Sequence, residues 1–456
     1  MNLERFIAAL GPADVVNAAP VDVRDLAYDT REITPGSLFF CVRGSAVDRH
    51  DLAPAAIAAG AVALVVEWKL DARVPQLVVE DARKAMPVAA KLFFGDPTRE
   101  LEVAGITGTN GKTTTAFLLH SILAAAGRRP GLLTNIERRV GSNARPTGLN
   151  TPEAIDLQRL FREMLGAGDR SCVMEATSIA QAMGRLDGTR FAVLTFTNLT
   201  QDHLDIHGTM EAYFEAKRAL FAQTDRAVVN IGDEYGRRLA AELPGAIVFD
   251  ASSDALNGID VKLRGRFNRE NALAAALSAR VLGVHDDAIR SGIEAVEGVP
   301  GRFEEIDEGQ PFTVLVDYAH TPDSLENVLR EARGLTEGRV IVVFGAGGDR
   351  DREKRPAMGR IGSLLADRAI VTTDNPRSDD PAVIADDVAS GAVASVEIEL
   401  DRRAAIELAV GDAFEGDIVV IAGKGADTEQ EVRGAKVPFD DREVARDALR
   451  RVAAQS

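Results

Sequence analysis

The sequence is predicted to fold as α/β in three domains: a small N-terminal α/β domain, a central mainly parallel sheet with helices on both faces, and a C-terminal α/β domain. Three observations lead there. Short apolar runs alternate with helical runs along the chain, as expected where helices cover a parallel sheet. At 456 residues the chain is long for one hydrophobic core and fits about three domains. Two stretches, GDPTRE (95–100) and EGVPGRFEEI (297–306), punctuate it, giving domain limits of 1–98, 99–298 and 299–456.

In the first domain the strands are read at LFFCV (38–42), AVALVVE (61–67) and QLVVE (76–80), with an alanine-rich helix over 53–60. Between the first strands lies a polar loop around Asp29, Thr30 and Arg31. From local pattern alone, Asp29-Thr30 is a turn or a helix cap.

The central domain is organised around EVAGITGTNGKTTTA (102–116). An apolar run ends in a Gly- and Asn-rich turn, and a helical run over 113–126 follows at once. Gly108 and Gly111 let the backbone curl and point successive N–H groups inward at the helix N-terminus, a concave trap for phosphate. Lys112 reaches terminal phosphates and the Thr113 hydroxyl serves Mg²⁺, so the loop asks for a nucleoside triphosphate. The full Walker pattern wants Gly where Ile106 stands, so only the shorter Gly-Thr-Asn-Gly-Lys-Thr is present. An ordinary glycine turn is the bland alternative, and Gly-Lys-Thr-Thr at the helix start argues against it.

Further strands are read at 171–178, 191–198, 227–233 and 245–250. Glu175, Asn198, Asp202 and His203 fall at or just beyond strand ends, where ligands of such sheets bind. Glu175 is an oxygen donor suited to Mg²⁺, or a solvated strand-end acid. The run TNLTQDHLDIHG (197–208) packs Asp202, His203, Asp205 and His207 together, for metal or proton work or as a capped turn. Lys217 falls near the apolar side of a helix over 210–221. A free ammonium there repels a metal, so a metal role needs a chemical change at the nitrogen.

In the third domain the strands are read at 312–318, 339–349, 368–374 and 417–425. Gly345-Ala-Gly347-Gly348 is not a dinucleotide fingerprint, because Arg350 occupies the sixth position. Asn375-Pro376 marks a turn. Arg377 beyond it can grip a carboxylate in a fork that lysine does not reproduce.

Composition narrows the partners. With 46% apolar and 27% charged residues this is a soluble globular composition. A net charge of −17 argues against a nucleic-acid surface and against anionic membranes. The two cysteines, Cys41 and Cys172, form neither a disulfide framework nor a metal cluster, which fits the cytoplasm. The N-terminus has charges where a signal peptide needs an apolar core.

Taken together, DLAYDTREITPGSLFFCVRG, GITGTNGKTTT, NTPEAIDLQ, FTNLTQDHLDIHGTMEAYFEAKRALF, GRFNRENALAA, DYAHTPDSLENVL, GGDRDREKRPAMG, DNPRSDDP and AGKG resemble, in order, the motifs of the Mur ligases. Among these the chain is similar to the branch that makes the UDP-sugar tripeptide. The shortened phosphate loop is that family's own form. The resemblance implies a central P-loop domain, a Rossmann-like C-terminal domain and an N-terminal domain for the UDP precursor. It implies an ATP-dependent amide ligase of peptidoglycan precursor synthesis, which adds meso-diaminopimelate to UDP-N-acetylmuramoyl-L-alanyl-D-glutamate through an acyl phosphate.

The resemblance also implies roles. Gly108, Thr109, Asn110, Gly111, Lys112, Thr113 and Thr114 form the nucleotide loop, and Asn271, Arg302, Asp317 and His320 hold the nucleotide. Thr113, Glu175, His203 and Lys217 serve two Mg²⁺ sites, Lys217 as a carbamate. Thr30, Asn150, Thr151, Ser178 and Arg185 contact the UDP-sugar dipeptide. Arg350, Asp374, Asn375, Pro376, Arg377, Gly423 and Asp427 recognise meso-diaminopimelate. A monomer, with small molecules as its only partners, is expected. The chain departs from the family at Ile179, where histidine is usual, at Asp427, where glutamate is usual, and at Asn150 and Arg49. These departures motivate the rival readings: another amine such as L-lysine or ornithine, or a non-catalytic binding paralogue.

Overall fold

The computed structural model describes residues 1–44, 47–256 and 258–455. The chain divides into two compact units. The first comprises Met1–Thr107, Gly127–Leu194 and Ala216–Ala227, and the second Gly108–Ala126, Thr195–Glu215 and the chain from Val228 onward.

The first unit opens with a sheet of β1 (Asp14–Val16), β2 (Asp25–Ala27), β3 (Ser37–Phe40), β4 (Ala61–Val66) and β5 (Gln76–Val78), in the order β1-β5-β4-β3-β2. Strands β2 to β5 run parallel and β1 antiparallel at the edge. Leu38, Phe40, Ala63 and Val65 face the helices Leu3–Leu10 and Ala82–Phe94, while Phe39, Leu64 and Val66 face the helix Ala53–Ala58. Burial on both faces is why these strands are near-continuous apolar runs. The helix Ala82–Phe94 is capped by Asp81, whose side chain accepts from the Arg83 and Lys84 amides. It stops at Gly95, with φ 74°, at the start of the punctuating GDPTRE stretch.

The same unit holds β6 (Glu102–Thr107), β7 (Pro130–Leu133), β8 (Glu137–Val140), β9 (Asn143–Pro146) and β10 (Ser171–Glu175). Strand β10 lies parallel between β6 and β7, and β8 and β9 extend β7 as an antiparallel hairpin that the sequence reading lacked. Strand β11 (Val193–Phe196) follows.

In the second unit the helix Lys112–Ala125 packs against Arg266–Val281 and Asp286–Glu294. The approach is close: a Cβ on Gly292 would lie 2.4 Å from Ile122 Cα. Strands β12 (Ala227–Asn230) and β13 (Ile247–Phe249) pair in parallel. The C-terminal sheet contains β14 (Glu304–Glu305), β15 (Thr313–Asp317), β16 (Val340–Phe344), β17 (Arg368–Val371), β18 (Glu397–Ile398) and β19 (Ile418–Ala422). Its order is β14-β15-β19-β16-β17-β18, parallel except for β14. Helices Pro322–Gly334, Lys354–Leu365 and Pro381–Ala389 cover one face, Arg402–Gly411 and Asp441–Gln455 the other. A separate hairpin, β20 (Glu429–Val432) with β21 (Ala435–Pro438), follows β19.

Cys41 and Cys172 are both free and buried. Burial pushes the Cys41 thiol up to about 12 and raises Cys172 as well. Among the described residues, no helix is long and apolar enough to cross a membrane.

Candidate active site

The loop after β6 turns at the two glycines named from the sequence. Gly108 (φ 146°) and Gly111 (φ 85°) occupy backbone conformations that side chains oppose. Space forbids a side chain as well: a Cβ on Gly108 would lie 1.9 Å from Thr197 Oγ1, and one on Gly111 2.3 Å from Asn271 Oδ1. The segment after β11 holds the loop in place. The Thr109 amide donates to Asn198 O (2.9 Å), and the Asn110 amide to Asn198 Oδ1 (2.9 Å). Thr197 Oγ1 donates to Asn110 O (2.6 Å). Asn198, read only as a strand-end residue, thus shapes the loop.

Lys112 Nζ folds over the loop and donates to the carbonyls of Gly108 (3.0 Å) and Thr109 (2.7 Å). Thr113 and Thr114 are buried in the first turn of the helix, and Thr113 Oγ1 accepts from Arg302 Nη2 (2.8 Å). Asn271 accepts from Thr115 Oγ1 (3.4 Å) and donates to Asn268 Oδ1 (2.9 Å). Asn268 in turn donates to Arg264 O (2.7 Å). Sequence reasoning missed Asn268, although two asparagines one turn apart inside a helix are a signal, because asparagine is a poor helix former.

Arg302 stacks over the Tyr318 ring at 4.4 Å, and the Tyr318 carbonyl accepts from His320 Nδ1 (2.8 Å). Asp317 accepts from the Phe303 amide (2.7 Å); burial pushes its carboxyl up to about 6, against the pull of Arg302. His203, with φ 56°, lies beside Asp202, Nε2 to Oδ2 being 3.3 Å. His320 and Lys354 approach the same carboxylate at 4.0 Å. Burial would push Asp202 up, but His203, His320 and Lys354 together hold it at about 2. Burial, aided by Lys354, pushes His320 below its ordinary value. Of the other polar groups in that run, His207 stacks on Tyr213 and Asp205 is exposed.

In the first unit Glu175 ends β10 opposite Ile106 of β6 and is buried. Its Oε1 accepts from the Asn135 amide (3.1 Å), and its carbonyl accepts from Thr151 Oγ1 (2.8 Å). Arg185 donates to Thr151 O (3.3 Å) and pairs with Glu153 (3.1 Å), a carboxylate the sequence reading passed over. Thr177 caps the short helix that begins at Ser178. Glu175, Thr151, Ser178 and Arg185 are therefore neighbours, and Asn150 precedes them on an exposed turn. Lys217 is buried, 1% exposed, near the end of the helix Met210–Arg218. The usual arrangement, with the ammonium in water, does not apply there. Asp29 caps a single 3-10 turn, Thr30–Glu32, by accepting from the Arg31 amide (2.9 Å), as the local pattern indicated.

The last cluster lies where β17 and β19 end. Asn375 Oδ1 accepts from Lys424 Nζ (3.2 Å) and the Glu431 amide (3.0 Å). Asp374 is buried, and its Oδ1 has no hydrogen-bond partner among the described residues. A Cβ on Gly423 (φ 124°) would come within 3.0 Å of Asp374 Oδ2. Pro376 O is equally close-packed, 1.8 Å from where a Cβ on Gly348 would be. Arg377 is held with φ 52° by the β20–β21 hairpin: its amide donates to Glu431 O (3.1 Å) and its carbonyl accepts from the Arg433 amide (2.6 Å). Its Nη1 donates to Gly348 O (2.7 Å). Burial pushes the Asp427 carboxyl up to about 6, while Arg350 is exposed.

Three family models match successive stretches: "Mur ligase family, catalytic domain" over 22–94, "Mur ligase middle domain" over 106–257 and "Mur ligase, glutamate ligase domain" over 301–425. A protein of Geobacillus thermodenitrificans named "UDP-N-acetylmuramoyl-L-alanyl-D-glutamate--2,6-diaminopimelate ligase" is 42% identical over 99% of both chains. One of the same name from Solibacter usitatus is 44% identical over 95% of this chain and 94% of its own. A solved structure of a ligase so named superposes with a TM-score of 0.64 at 30% identity, covering 95% and 96% of the two chains. The MurF ligase of Thermotoga maritima in complex with ADP shares the fold, with a TM-score of 0.66 at 18% identity over 95% and 98%.

Proposed function

The chain belongs to the Mur ligase family, and from that premise we propose that it joins meso-diaminopimelate to UDP-N-acetylmuramoyl-L-alanyl-D-glutamate, with ATP as phosphoryl donor. The relatives that carry this name match nearly end to end. The proposed domain limits are 1–98 for the UDP precursor, 99–298 for ATP and 299–456 for the amino acid.

The D-glutamyl γ-carboxylate attacks the γ-phosphorus of ATP, which gives an acyl phosphate and ADP. The amine of the diamino acid then attacks the carbonyl carbon, and phosphate leaves from the tetrahedral intermediate. The protein's share is positioning and charge neutralisation. The loop 108–114 cradles the phosphates with its helix start and Lys112, the amides of Thr109 and Asn110 being taken up by Asn198, while Asn271, Arg302, Asp317 and His320 hold the nucleotide. Thr30, Asn150, Thr151, Ser178 and Arg185 hold the precursor.

A hydroxyl at Thr113 and a buried carboxylate at Glu175 are the hard oxygen donors that Mg²⁺ takes. With His203 they would hold the metal, which neutralises phosphate charge when bound. Lys217, buried near the end of its helix, is converted to a carbamate in this reading, which removes its positive charge and adds oxygens for a second Mg²⁺. Small molecules are the only partners in this reading, and the protein acts as a monomer in the cytoplasm.

One observation carries the choice of amine. Asp374 and Arg377 leave the end of one strand together: a buried carboxylate oxygen with no hydrogen-bond partner among the described residues, for an ammonium, and a guanidinium for a carboxylate. Arg350, Asn375, Pro376, Gly423 and Asp427 complete that site. L-Lysine lacks the second carboxylate. Asp427 supports the second reading, a different diamino acid, because it is one methylene shorter than the family's usual glutamate. Phosphate release from ATP and the precursor, run against a panel of diamino acids, tests both. Release confined to meso-diaminopimelate supports the first, release with another amine selects the second, and silence with every amine refutes the ligase reading.

A further inference from the structure

Arg402 has no place in the reaction above, yet it is one of the largest fully buried side chains of the protein. Its fork closes on Asp441, with Nε to Oδ1 at 2.7 Å and Nη2 to Oδ2 at 2.6 Å, and both side chains are wholly excluded from solvent. Such a pair adds little net stability, because desolvation offsets the attraction. The remaining donors point elsewhere. Nη2 donates to Ala422 O (3.0 Å), and Nη1 reaches to 3.5 Å from Thr373 O.

Those two carbonyls belong to the residues just before Gly423 and Asp374. Ala422 ends β19, and Thr373 lies just beyond β17. These strands are not neighbours, since β16 runs between them. Ladder hydrogen bonds therefore do not couple β17 directly to β19. The guanidinium bridges across the end of β16, where Gly345 leaves no room for a side chain, its Cβ position being 2.2 Å from Thr372 O. Gly423 and Asp374 are consequently held so close that a Cβ on the glycine would be 3.0 Å from the carboxylate and 3.6 Å from Arg402 Nη2.

We propose that Arg402, anchored by Asp441, is the positioning residue that fixes the amine-binding carboxylate of Asp374 against Gly423 and thereby sets which diamino acid is accepted. The role rests on the ligase reading above and deepens it. Asp374 Oδ1 is buried and has no hydrogen-bond partner among the described residues, so it accepts an ammonium only if the pocket is built before the ligand arrives. Arg377 leaves the same strand end three residues later and grips a carboxylate. A diamino acid with both groups at one centre must match that fixed spacing. Lysine at 402 keeps the charge but has no planar fork to reach Asp441 and two carbonyls at once.

The test is Arg402→Lys, with Asp441→Asn as the second variant, assayed by phosphate release with ATP, precursor and either meso-diaminopimelate or L-lysine. The KM for meso-diaminopimelate is expected to rise roughly tenfold or more, while that for ATP stays within about twofold. The ratio of kcat/KM between the two amino acids is expected to fall by a similar factor. Unchanged KM and unchanged discrimination in a folded variant overturn the role. Equal losses toward ATP, precursor and amino acid also overturn it, because they mark a general support. If Arg402→Lys does not fold, Asp441→Asn decides; if neither folds, the pair is structural and the proposal is wrong. Wild-type turnover is measured beside them. A wild type that uses another diamino acid is compared with that amine, and a wild type silent with every amine removes the ligase reading itself.

Discussion

Replacing Gly111 by alanine tests the phosphate loop at its tightest point. Two costs follow from the geometry. The residue keeps φ near 85°, which for an L-residue costs about 1–2 kcal/mol. The new methyl also meets Asn271 Oδ1 at 2.3 Å, so that side chain must move. Asn271 then gives up its bonds to Thr115 and Asn268, each of about 1 kcal/mol. The sum is about 3–4 kcal/mol. If it falls on nucleotide binding, ATP affinity drops by on the order of 10²–10³. The assay is titration with a fluorescent ATP analogue, beside a thermal melt. Gly127→Ala is the control, because its φ is 72° but nothing lies within 4 Å of the added methyl. It should lower the melting temperature slightly and leave ATP binding alone. Wild-type affinity in Gly111→Ala would refute the assignment of this loop to the phosphates.

Three further outcomes are expected. Lys217→Ala should abolish turnover, with partial rescue by added small carboxylates; full activity without rescue removes the carbamate role. Arg377→Lys, which loses a fork worth about 1.5–3 kcal/mol, should raise KM for the amino acid by roughly ten- to a hundredfold and leave that for ATP unchanged. Equal effects on both would take Arg377 out of the amino-acid site. Asp427, with its carboxyl raised from 3.8 to about 6 by burial, binds a proton in the folded protein over a range where the unfolded chain has lost it. Its charged form therefore opposes folding above about pH 6, and that cost fades as the pH falls toward 4. Binding of an ammonium needs the charged form, so affinity for the amino acid should weaken as the pH drops through 6. Asp427→Asn should lose that inflection, and an inflection that survives in the variant would show that another group causes it.

Strand positions were legible because most strands are buried on both faces: Leu38 to Phe40 and Val340 to Phe344 read as unbroken apolar runs. The glycine loop was legible because its requirement is local, a positive φ beside a helix start. The hairpins β8–β9 and β20–β21 were not, since their residues are partly or fully exposed and carry no apolar alternation. The cap at Asp29 was readable for the same local reason as the loop. Buried charge was the blind spot. Lys354 beside Asp202, and Arg402 against Asp441 some 39 residues away, look in sequence like ordinary surface charges. Only packing reveals that the first surrounds a carboxylate and the second is wholly enclosed.

The two sulfhydryl groups have a practical use that follows from their seclusion. Cys41, just beyond β3, and Cys172, within β10, are buried with their thiolate forms disfavoured, so an electrophile such as a maleimide has no target until the surrounding structure opens. Cys41 reports on the N-terminal sheet and Cys172 on β10, next to Glu175 by three positions. The rate at which each takes up label, with and without nucleotide, would measure how firmly ligand clamps each region.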